Sequence, residues 1–292
     1  MFRIVGDVNF SAMKKDPIWK AIQAEAKAVA KREPALAPLM DDVILSQESL
    51  EGALSERLAR KLSNHHAVTS EYVREVFLQA FSENAEIGKQ VRADIKAVCD
   101  RDPACRDYLT PVLYLKGFQS LVCHRIGHHL WTHGRRDLPL YLQSLMSEVF
   151  GVDIHPAAAF GSGILLDHAT AFVAGETSVV GDNVSILHGV TLGGTGKTTG
   201  DRHPKIGSGV LIGAGAKVLG NIKVGDCAKI GANSVVVDPV PAHVTVAGIP
   251  ARIVGKAPAR PSVCIDQHLS TPPVAGEYAV FSAAVRRPRK KA

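Results

Sequence analysis

The chain has 292 residues, of which 46% are apolar and 21% charged, so it can bury a sizeable core in one or two domains. It holds no run of about 18 apolar residues and no apolar stretch at its start, so we expect neither a membrane span nor a secretory signal. The five cysteines are odd in number and form no C-x-x-C pair. This pattern favours the reducing cytoplasm over a disulfide framework.

The formal net charge of +6 is concentrated at one end of the chain. The last seven residues, RRPRKKA, carry five positive charges, which leaves 6 − 5 = +1 for the remainder. No basic face with interleaved aromatic residues is present, so we expect no nucleic-acid partner. We interpret this basic end as solvated, within a C-terminal tail of residues 259–292.

Residues 16–150 have the pattern of an all-helical domain that follows a flexible N-terminus of residues 1–15. Only six of the 26 glycines lie in the first 150 residues, which favours helices there. Asp16 precedes an apolar stripe of helical period, and Ser70 is the expected N-cap of a later helix. Four leucines stand at a strict four-residue spacing: Leu50, Leu54, Leu58 and Leu62. Residues 110–131 and 138–150 continue the helical pattern.

From Asp153 onward, apolar residues recur every six positions. The three series are Ile154, Phe160, Leu166 and Phe172; Ala174, Val180, Ile186 and Leu192; and Ile206, Ile212, Val218, Val224, Ile230 and Val236. A period of six suits neither an α-helix nor a β-sandwich, but it is typical of a parallel β-helix with three short strands per coil. The predicted fold class is therefore α+β, with about five coils in residues 151–258.

The repeat is interrupted by residues 193–205, which are rich in glycine and polar residues and predict an extruded loop. The segment GGTGKT resembles a phosphate-binding P-loop. That motif requires glycine six residues before its lysine, however, and Thr191 occupies the position. We therefore do not expect a P-loop.

Histidines are concentrated in the repeats. They are His155, His168, His188 and His203, with acidic residues or an arginine beside several of them. A packed coil does not need imidazoles, so together they favour a functional site over four unrelated surface residues. A second group lies in the helical domain: Cys123, His124, His128, His129 and His133. It invites a metal interpretation, but no further ligand stands at zinc-finger spacing, and we interpret it as structural.

The motifs DHAT, TLGGTGK and GDRHPKI, together with TPVLYLKGFQSL and AGIPARIVGK, resemble the serine O-acetyltransferase family over residues 17–268. The resemblance implies a left-handed parallel β-helix after the helical domain. It also implies transfer of an acetyl group from acetyl-CoA to L-serine, the first step of cysteine biosynthesis. The implied assembly is a homotrimer, or a hexamer in which helical domains join two trimers.

The resemblance also assigns roles to residues. His168 matches the general base, and Asp153 matches the acid that orients its ring. Arg202 and His203 match the positions that bind the carboxylate of serine, with His203 also contributing to catalysis across a subunit boundary. The positions that match the acids around the amino group are Asp102 and Asp167.

Acetyl-CoA is the expected co-substrate, with no permanently bound cofactor and no metal. The matching positions for it are Gly194, Thr195, Ala214, Gly215 and Lys229. L-cysteine is the expected feedback inhibitor, since it differs from serine by sulfur for oxygen. Members that dock onto O-acetylserine sulfhydrylase end in isoleucine, whereas this sequence ends in Ala292, so we expect weak docking or none.

Three alternatives stay open. An acyltransferase for sugars or antibiotics would share the repeats, but Asp102, Asp167 and Arg202 suit an amino acid. A hexapeptide carbonic anhydrase would bind zinc through three histidines, such as His168, His188 and His203. A non-catalytic scaffold would not need the intact DHAT and GDRHP motifs.

Overall fold

The computed structural model describes residues 16–63, 68–196 and 199–269. Its first part is helical, with a 3₁₀ turn (Pro34–Leu36) and a π-helical turn (Asp41–Leu45) between α-helices. The α-helices are α1 (Pro17–Arg32), α2 (Ala37–Met40), α3 (Leu50–Leu62), α4 (Ser70–Glu83), α5 (Ala85–Arg101), α6 (Leu109–Leu113), α7 (Lys116–Thr132), α8 (Asp137–Phe150) and, after the strands, α9 (Pro261–Cys264). The last helix before the strands ends at Phe150, and the first strand begins at Val152.

Local sequence explains where these helices begin and end. Asp16 caps α1 by accepting bonds from the amides of Ile18 and Trp19. The four leucines of α3 are all fully buried, which confirms the stripe. The expected cap at Ser70 is wrong by one residue, because the hydroxyl of Thr69 accepts from the amide of Tyr72 and Ser70 is already helical.

The strands wind into a left-handed parallel β-helix, which confirms the predicted fold class. They are β1 (Val152–Ile154), β2 (Ala159–Phe160), β3 (Leu165–Leu166), β4 (Phe172–Ala174), β5 (Val179–Val180), β6 (Ser185–Ile186), β7 (Thr191–Gly193), β8 (Lys205–Ile206), β9 (Leu211–Ile212), β10 (Lys217–Leu219), β11 (Lys223–Val224), β12 (Lys229–Ile230), β13 (Val235–Val236), β14 (Val244–Gly248) and β15 (Ala251–Lys256). The first sheet contains β1, β4, β7, β10 and β13; the second contains β2, β5, β8 and β11; the third contains the others. All pairs are parallel except β14 with β15.

The register shows how the six-residue series join. A regular coil takes 18 residues, since Lys217 pairs with Val235. The first coil takes 20, since Ile154 pairs with Ala174. Phe172 is therefore not the next member of the Ile154 series, as its spacing suggested, because two residues are inserted after β3. A second irregularity adds eight residues between β7 and β8, where Val179 pairs with Lys205, and this is the predicted loop.

The helical part is joined to the β-helix by a buried ion pair. Arg125 on α7 donates from Nε and Nη2 to the carboxylate of Asp94 on α5, at 2.8 and 3.0 Å. The same guanidinium reaches the carbonyl of Gly161 at 2.7 Å, and Asp94 accepts from the amide of Ile164 at 2.9 Å. Because both charges are buried and satisfied by backbone of the first coil, the two parts pack in one fixed orientation.

No helix in the described part of the chain is long and apolar enough to cross a membrane. The five cysteines are free. Residues 270–292, on which the expectation about sulfhydrylase docking rests, lie outside the described residues, as do residues 1–15.

Candidate active site

The turn between β3 and β4 carries His168 and departs from the regular coil. Three of its residues, His168, Ala169 and Ala171, have left-handed φ angles of 53°, 61° and 58°. This region is unfavourable for a residue with a Cβ atom, so the turn needs support from its surroundings. The two inserted residues push the turn outward, and the His168 side chain is 76% exposed.

The start of α7 supplies that support. Nζ of Lys116 lies 2.6 Å from Oγ1 of Thr170 and donates to it. A Cβ atom on Gly117 would lie 1.9 Å from the carbonyl oxygen of Leu166, so helix backbone packs directly on strand backbone. This contact falls immediately before Asp167 and therefore fixes where the turn begins.

One acid and a second imidazole lie beside His168, and a second acid lies near the first. Oδ1 of Asp167 lies 3.8 Å from Nε2 of His168, and the ring of His188 stands edge-on with its centre 5.9 Å away. Burial raises the pKa of Asp167, and the negative charge of Asp102, at the end of α5, raises it further. We call Asp102, Asp167, His168 and His188 the His168 cluster.

A second group of polar side chains lies where β4 and the extruded loop meet. Nη2 of Arg202 donates to Oε2 of Glu176 at 2.8 Å, and this bond lowers the pKa of Glu176. His203 is 6% exposed; burial lowers its pKa, and the positive charges of Arg202 and Lys205 lower it further. We call Glu176, Thr177, Arg202 and His203 the Arg202 cluster.

Asp153 lies in the middle of β1, on the first sheet. Its Oδ1 accepts from Nε2 of Gln143 on α8 at 2.6 Å. Within one chain, the acid that lies 3.8 Å from the His168 ring is Asp167. The role of Asp153 in orienting His168 stays a prediction.

The residues matched to acetyl-CoA divide between two places. Gly215 donates to the carbonyl of His188 at 2.9 Å, so Ala214 and Gly215 extend the corner that carries the His168 cluster. Gly194 lies against Arg202, since a Cβ atom there would be 3.5 Å from its Cγ. Thr195 follows Gly194 in the same loop.

Lys229 has partners other than a phosphate. It lies on β12, is buried, donates to the carbonyl of His268 at 2.5 Å, and stands 3.9 Å from the carboxylate of Asp266. Its predicted contact with acetyl-CoA requires that segment to move, and it stays a prediction.

The two clusters lie at opposite edges of the first sheet. The His168 turn precedes β4 and His188 precedes β7, whereas Glu176 and the loop with Arg202 follow those same strands. One chain therefore holds a base with acids at one edge and a guanidinium with an imidazole at the other. His168 and His203 do not meet within one chain, and neither do the three histidines of the zinc alternative.

The histidines of α7 have partners of other kinds. Nδ1 of His128 lies 2.8 Å from the carbonyl oxygen of Pro156, and Nε2 of His129 lies 3.0 Å from a carboxylate oxygen of Glu83. The ring of His124 packs edge-on against Phe160. Across the described ranges, no three His, Cys, Asp or Glu side chains converge as metal ligands would.

Comparison with known proteins identifies the family of this chain. Residues 18–123 match the family described as serine acetyltransferase, N-terminal, and residues 203–238 match the bacterial transferase hexapeptide (six repeats). The serine acetyltransferase of Salmonella typhimurium is 56% identical over 254 residues, which cover 87% of this chain and 93% of that protein. The chain belongs to the serine acetyltransferase family.

Solved structures of family members superpose on it. A serine acetyltransferase from Brucella abortus in complex with coenzyme A is 54% identical, with a TM-score of 0.83 over 85% of this chain and 98% of that one. A serine acetyltransferase in complex with cysteine is 52% identical, with a TM-score of 0.84 over 87% and 98%. A third, from Neisseria gonorrhoeae in complex with serine, is 51% identical, with a TM-score of 0.79 over 82% and 98%.

Several polar residues beside the family motifs were missed by sequence analysis. They are Lys116, Gln143, Glu176 and Thr177. A signal existed for Glu176 and Thr177: they stand 26 residues before Arg202 and His203, which is one 18-residue coil plus the eight inserted residues. Lys116 and Gln143 lie on helices, so no sequence repeat relates them to the residues that they contact in the coils.

Proposed function

We propose that this chain is a serine O-acetyltransferase, which transfers the acetyl group of acetyl-CoA to the hydroxyl of L-serine and releases CoA. The observation that carries the proposal is the complementary chemistry at the two edges of the first sheet. Serine is a zwitterion, so its site must offer acids for the ammonium group and a guanidinium for the carboxylate. A sugar or antibiotic acceptor has no use for that pairing, which favours an amino acid.

His168 is the proposed general base. It takes the proton of the serine hydroxyl while the oxygen forms a bond to the thioester carbonyl carbon. The tetrahedral intermediate then collapses, the carbon–sulfur bond breaks, and the imidazolium returns the proton to the CoA sulfur. Imidazole suits this role because its ordinary pKa lies near neutrality, and such a base contributes about 10²- to 10⁴-fold in rate.

The other residues bind and orient. Asp102 and Asp167 accept from the ammonium group of serine, and Arg202 binds its carboxylate, with His203 beside it as a further donor. Asp153 orients the His168 ring. Gln143 holds one oxygen of Asp153 and leaves the other free to accept from that ring.

A homotrimer completes the site. Three parallel prisms related by a threefold axis form heterologous contacts, in which one edge of each sheet meets the opposite edge of its neighbour. Such contacts bring the His168 cluster of one copy to the Arg202 cluster of the next. The helical domain, residues 16–150, joins two trimers into a hexamer, as the family resemblance implies.

Acetyl-CoA lies in the groove between neighbouring prisms. Ala214 and Gly215 line it from one copy, and Gly194 and Thr195 line it from the next. The relative from Brucella abortus in complex with coenzyme A supports a CoA ligand. Lys229 reaches a phosphate only when the segment around His268 moves away.

L-cysteine is the proposed feedback inhibitor, because it presents the same ammonium and carboxylate groups as serine. Family members in complex with cysteine and with serine support both ligands. A place in the cytoplasm belongs to the same proposal, and the five free cysteines are consistent with it.

The test is a thiol-release assay with acetyl-CoA and a panel of L-amino acids, sugars and aminoglycosides. We expect CoA release with L-serine that L-cysteine inhibits. In Arg202→Ala, the KM for serine and the inhibition constant for cysteine should rise together, while the KM for acetyl-CoA changes little. Faster transfer to a sugar or an aminoglycoside than to serine would contradict the proposal.

A further inference from the structure

The ring of His203 is held from one side by Thr177, a residue to which neither the motifs nor the comparisons give a role. The backbone amide of Thr177 donates to Nδ1 of His203 at 3.1 Å. Oγ1 of Thr177 lies 2.9 Å from the same nitrogen. In the described part of the chain, every hydrogen bond made by the ring goes to Nδ1, which leaves Nε2 for a ligand.

The surroundings of Oγ1 decide which group donates. Oγ1 of Thr177 accepts from the backbone amides of Arg202 at 3.0 Å and His203 at 3.1 Å. These two bonds occupy both lone pairs of the hydroxyl oxygen, so it has no site left to accept a proton from the ring. The hydroxyl therefore cannot accept from Nδ1, and its own proton goes either to Nδ1 or to the carboxylate of Asp201, whose pKa the bond with Thr177 lowers.

The opposite tautomer would be unfavourable. A proton on Nδ1 would point at the amide proton of Thr177 and at an oxygen that already accepts two bonds. Such a tautomer would bring two donors together and leave the half-buried amide of Thr177 without an acceptor, which is unfavourable. The neutral ring of His203 therefore carries its proton on Nε2.

Burial disfavours the charged form of the ring and lowers its pKa, and the positive charges of Arg202 and Lys205 act in the same direction, while the negative charge of Glu176 opposes them. The amide that donates to Nδ1 leaves no room for a second proton there, so protonation would break the contact with Thr177. The ring is thus neither a cation nor a base towards its own chain.

We propose that Thr177 is a positioning residue that holds His203 as its Nε2–H tautomer, so that His203 provides the site with a neutral hydrogen-bond donor for a substrate oxygen. This assignment rests on the proposed acetyltransferase function. It separates the two imidazoles by role, with His168 accepting a proton and His203 donating a hydrogen bond. Serine and cysteine both carry oxygens that such a donor can bind.

Gly175 is the third residue of this arrangement. A glycine is needed there because a side chain would collide with the ring of His203, and not because of its backbone conformation. A Cβ atom at this position would lie 2.0 Å from Nε2 of His203 and 2.3 Å from its Cδ2. The ring therefore rests directly on the backbone of Gly175, and Thr177 binds it from the other end. Any larger residue at position 175 would turn Nε2 away from its present direction.

The tautomer can be measured on the full-length protein. Solid-state NMR of ¹⁵N-histidine-labelled protein distinguishes a protonated from an unprotonated ring nitrogen, and a spectrum of His203→Gln assigns the signal. We expect an Nε2–H signal from the wild type and from Thr177→Ser, which keeps the hydroxyl. We expect the Nε2–H signal to broaden or split in Thr177→Val, because the amide still donates to Nδ1 while the ring loses the hydroxyl contact that fixes its orientation. An Nδ1–H signal from the wild type would overturn the proposal.

Kinetics test what the tautomer does. In Thr177→Val, the KM for serine should rise about tenfold, the equivalent of one hydrogen bond, with the KM for acetyl-CoA unchanged and Thr177→Ser near wild type. Thr245→Val is the matched control, since Thr245 also lies in the β-helix and its hydroxyl also makes a hydrogen bond, to the carbonyl of Lys256. Equal losses in both valine variants would overturn the positioning role. A wild-type chain that does not acetylate serine would refute the proposed function instead, and NMR would still decide the tautomer.

Discussion

At the scale of single residues, the site contains groups in unusual backbone or packing environments. His168 has a left-handed φ angle, and Gly175 carries an imidazole ring directly against its Cα atom. The family motifs identified the groups proposed to be functional, including His168 and Arg202. They did not identify Thr177, because its role depends on a contact across one coil, and a hydroxyl alone has no distinctive pattern in a sequence.

Replacement of His168 tests the base. His168→Asn is better suited than His168→Ala, since asparagine tolerates the left-handed conformation of this turn. We expect kcat to fall by about 10² or more at neutral pH, because no group remains to take the hydroxyl proton. Steady-state rates with serine measure the effect, with His133→Ala at the C-cap of α7 as the control histidine. A kcat within threefold of the wild type would rule out His168 as the base.

At the scale of elements, the six-residue period predicted the inward positions of the coils, because each buried residue stacks on its counterpart in the next coil. The period also broke at the two functional segments, the His168 turn and the extruded loop. The helices were predicted less well at their ends. Residues 110–131 form two helices rather than one, since α7 begins at Lys116, where it packs on the backbone of β3. No local pattern indicates that contact.

Gly117→Ala tests whether α7 positions the turn. The added Cβ would lie 1.9 Å from the carbonyl oxygen of Leu166, and neither backbone can yield without shifting Asp167 and His168. We expect a loss of about 1–3 kcal/mol in stability and a kcat lowered at least tenfold. Urea unfolding and steady-state kinetics measure the two effects.

Gly127→Ala is the matched control on the same helix, because its Cβ would have no neighbour closer than 4.0 Å. It should be neutral or slightly stabilising, since alanine favours a helix over glycine by about 1 kcal/mol. Equal effects of the two substitutions would show that the contact with Leu166 does not matter.

At the scale of the whole molecule, the junction between helices and coils contains a buried neutral histidine. Burial places the pKa of His124 well below its ordinary value of 6.5, and the positive charge of Arg125 acts in the same direction. Below pH 6.5 the imidazole of His124 takes up a proton in the unfolded chain but not in the folded chain. The free energy of unfolding therefore falls as the pH drops. Between pH 7.5 and 5.5 this group contributes a loss on the order of 1 kcal/mol.

His124→Leu checks that contribution. Urea unfolding at both pH values should give a smaller difference in the free energy of unfolding for the variant than for the wild type. Both proteins share the other titrating groups, so the contributions of those groups cancel in the comparison. An unchanged difference would mean that His124 has the same pKa in the folded and the unfolded chain.

Two clusters of opposite chemistry at the two edges of one sheet are the main property of the molecule, and in the proposed trimer they make each active site the joint product of two copies. Mixing two impaired variants, assayed with serine well below the KM of Arg202→Ala, tests this most directly. His168→Asn lacks the base at one edge, and Arg202→Ala lacks the carboxylate-binding group at the other. We unfold and refold them together in equal amounts, with each variant refolded alone as the control. Since a shared site is intact when it combines the wild-type edge of each variant, about a quarter of wild-type activity should return in randomly mixed trimers. No recovery, with mixed oligomers demonstrated by mass spectrometry of differently labelled chains, would contradict the shared site.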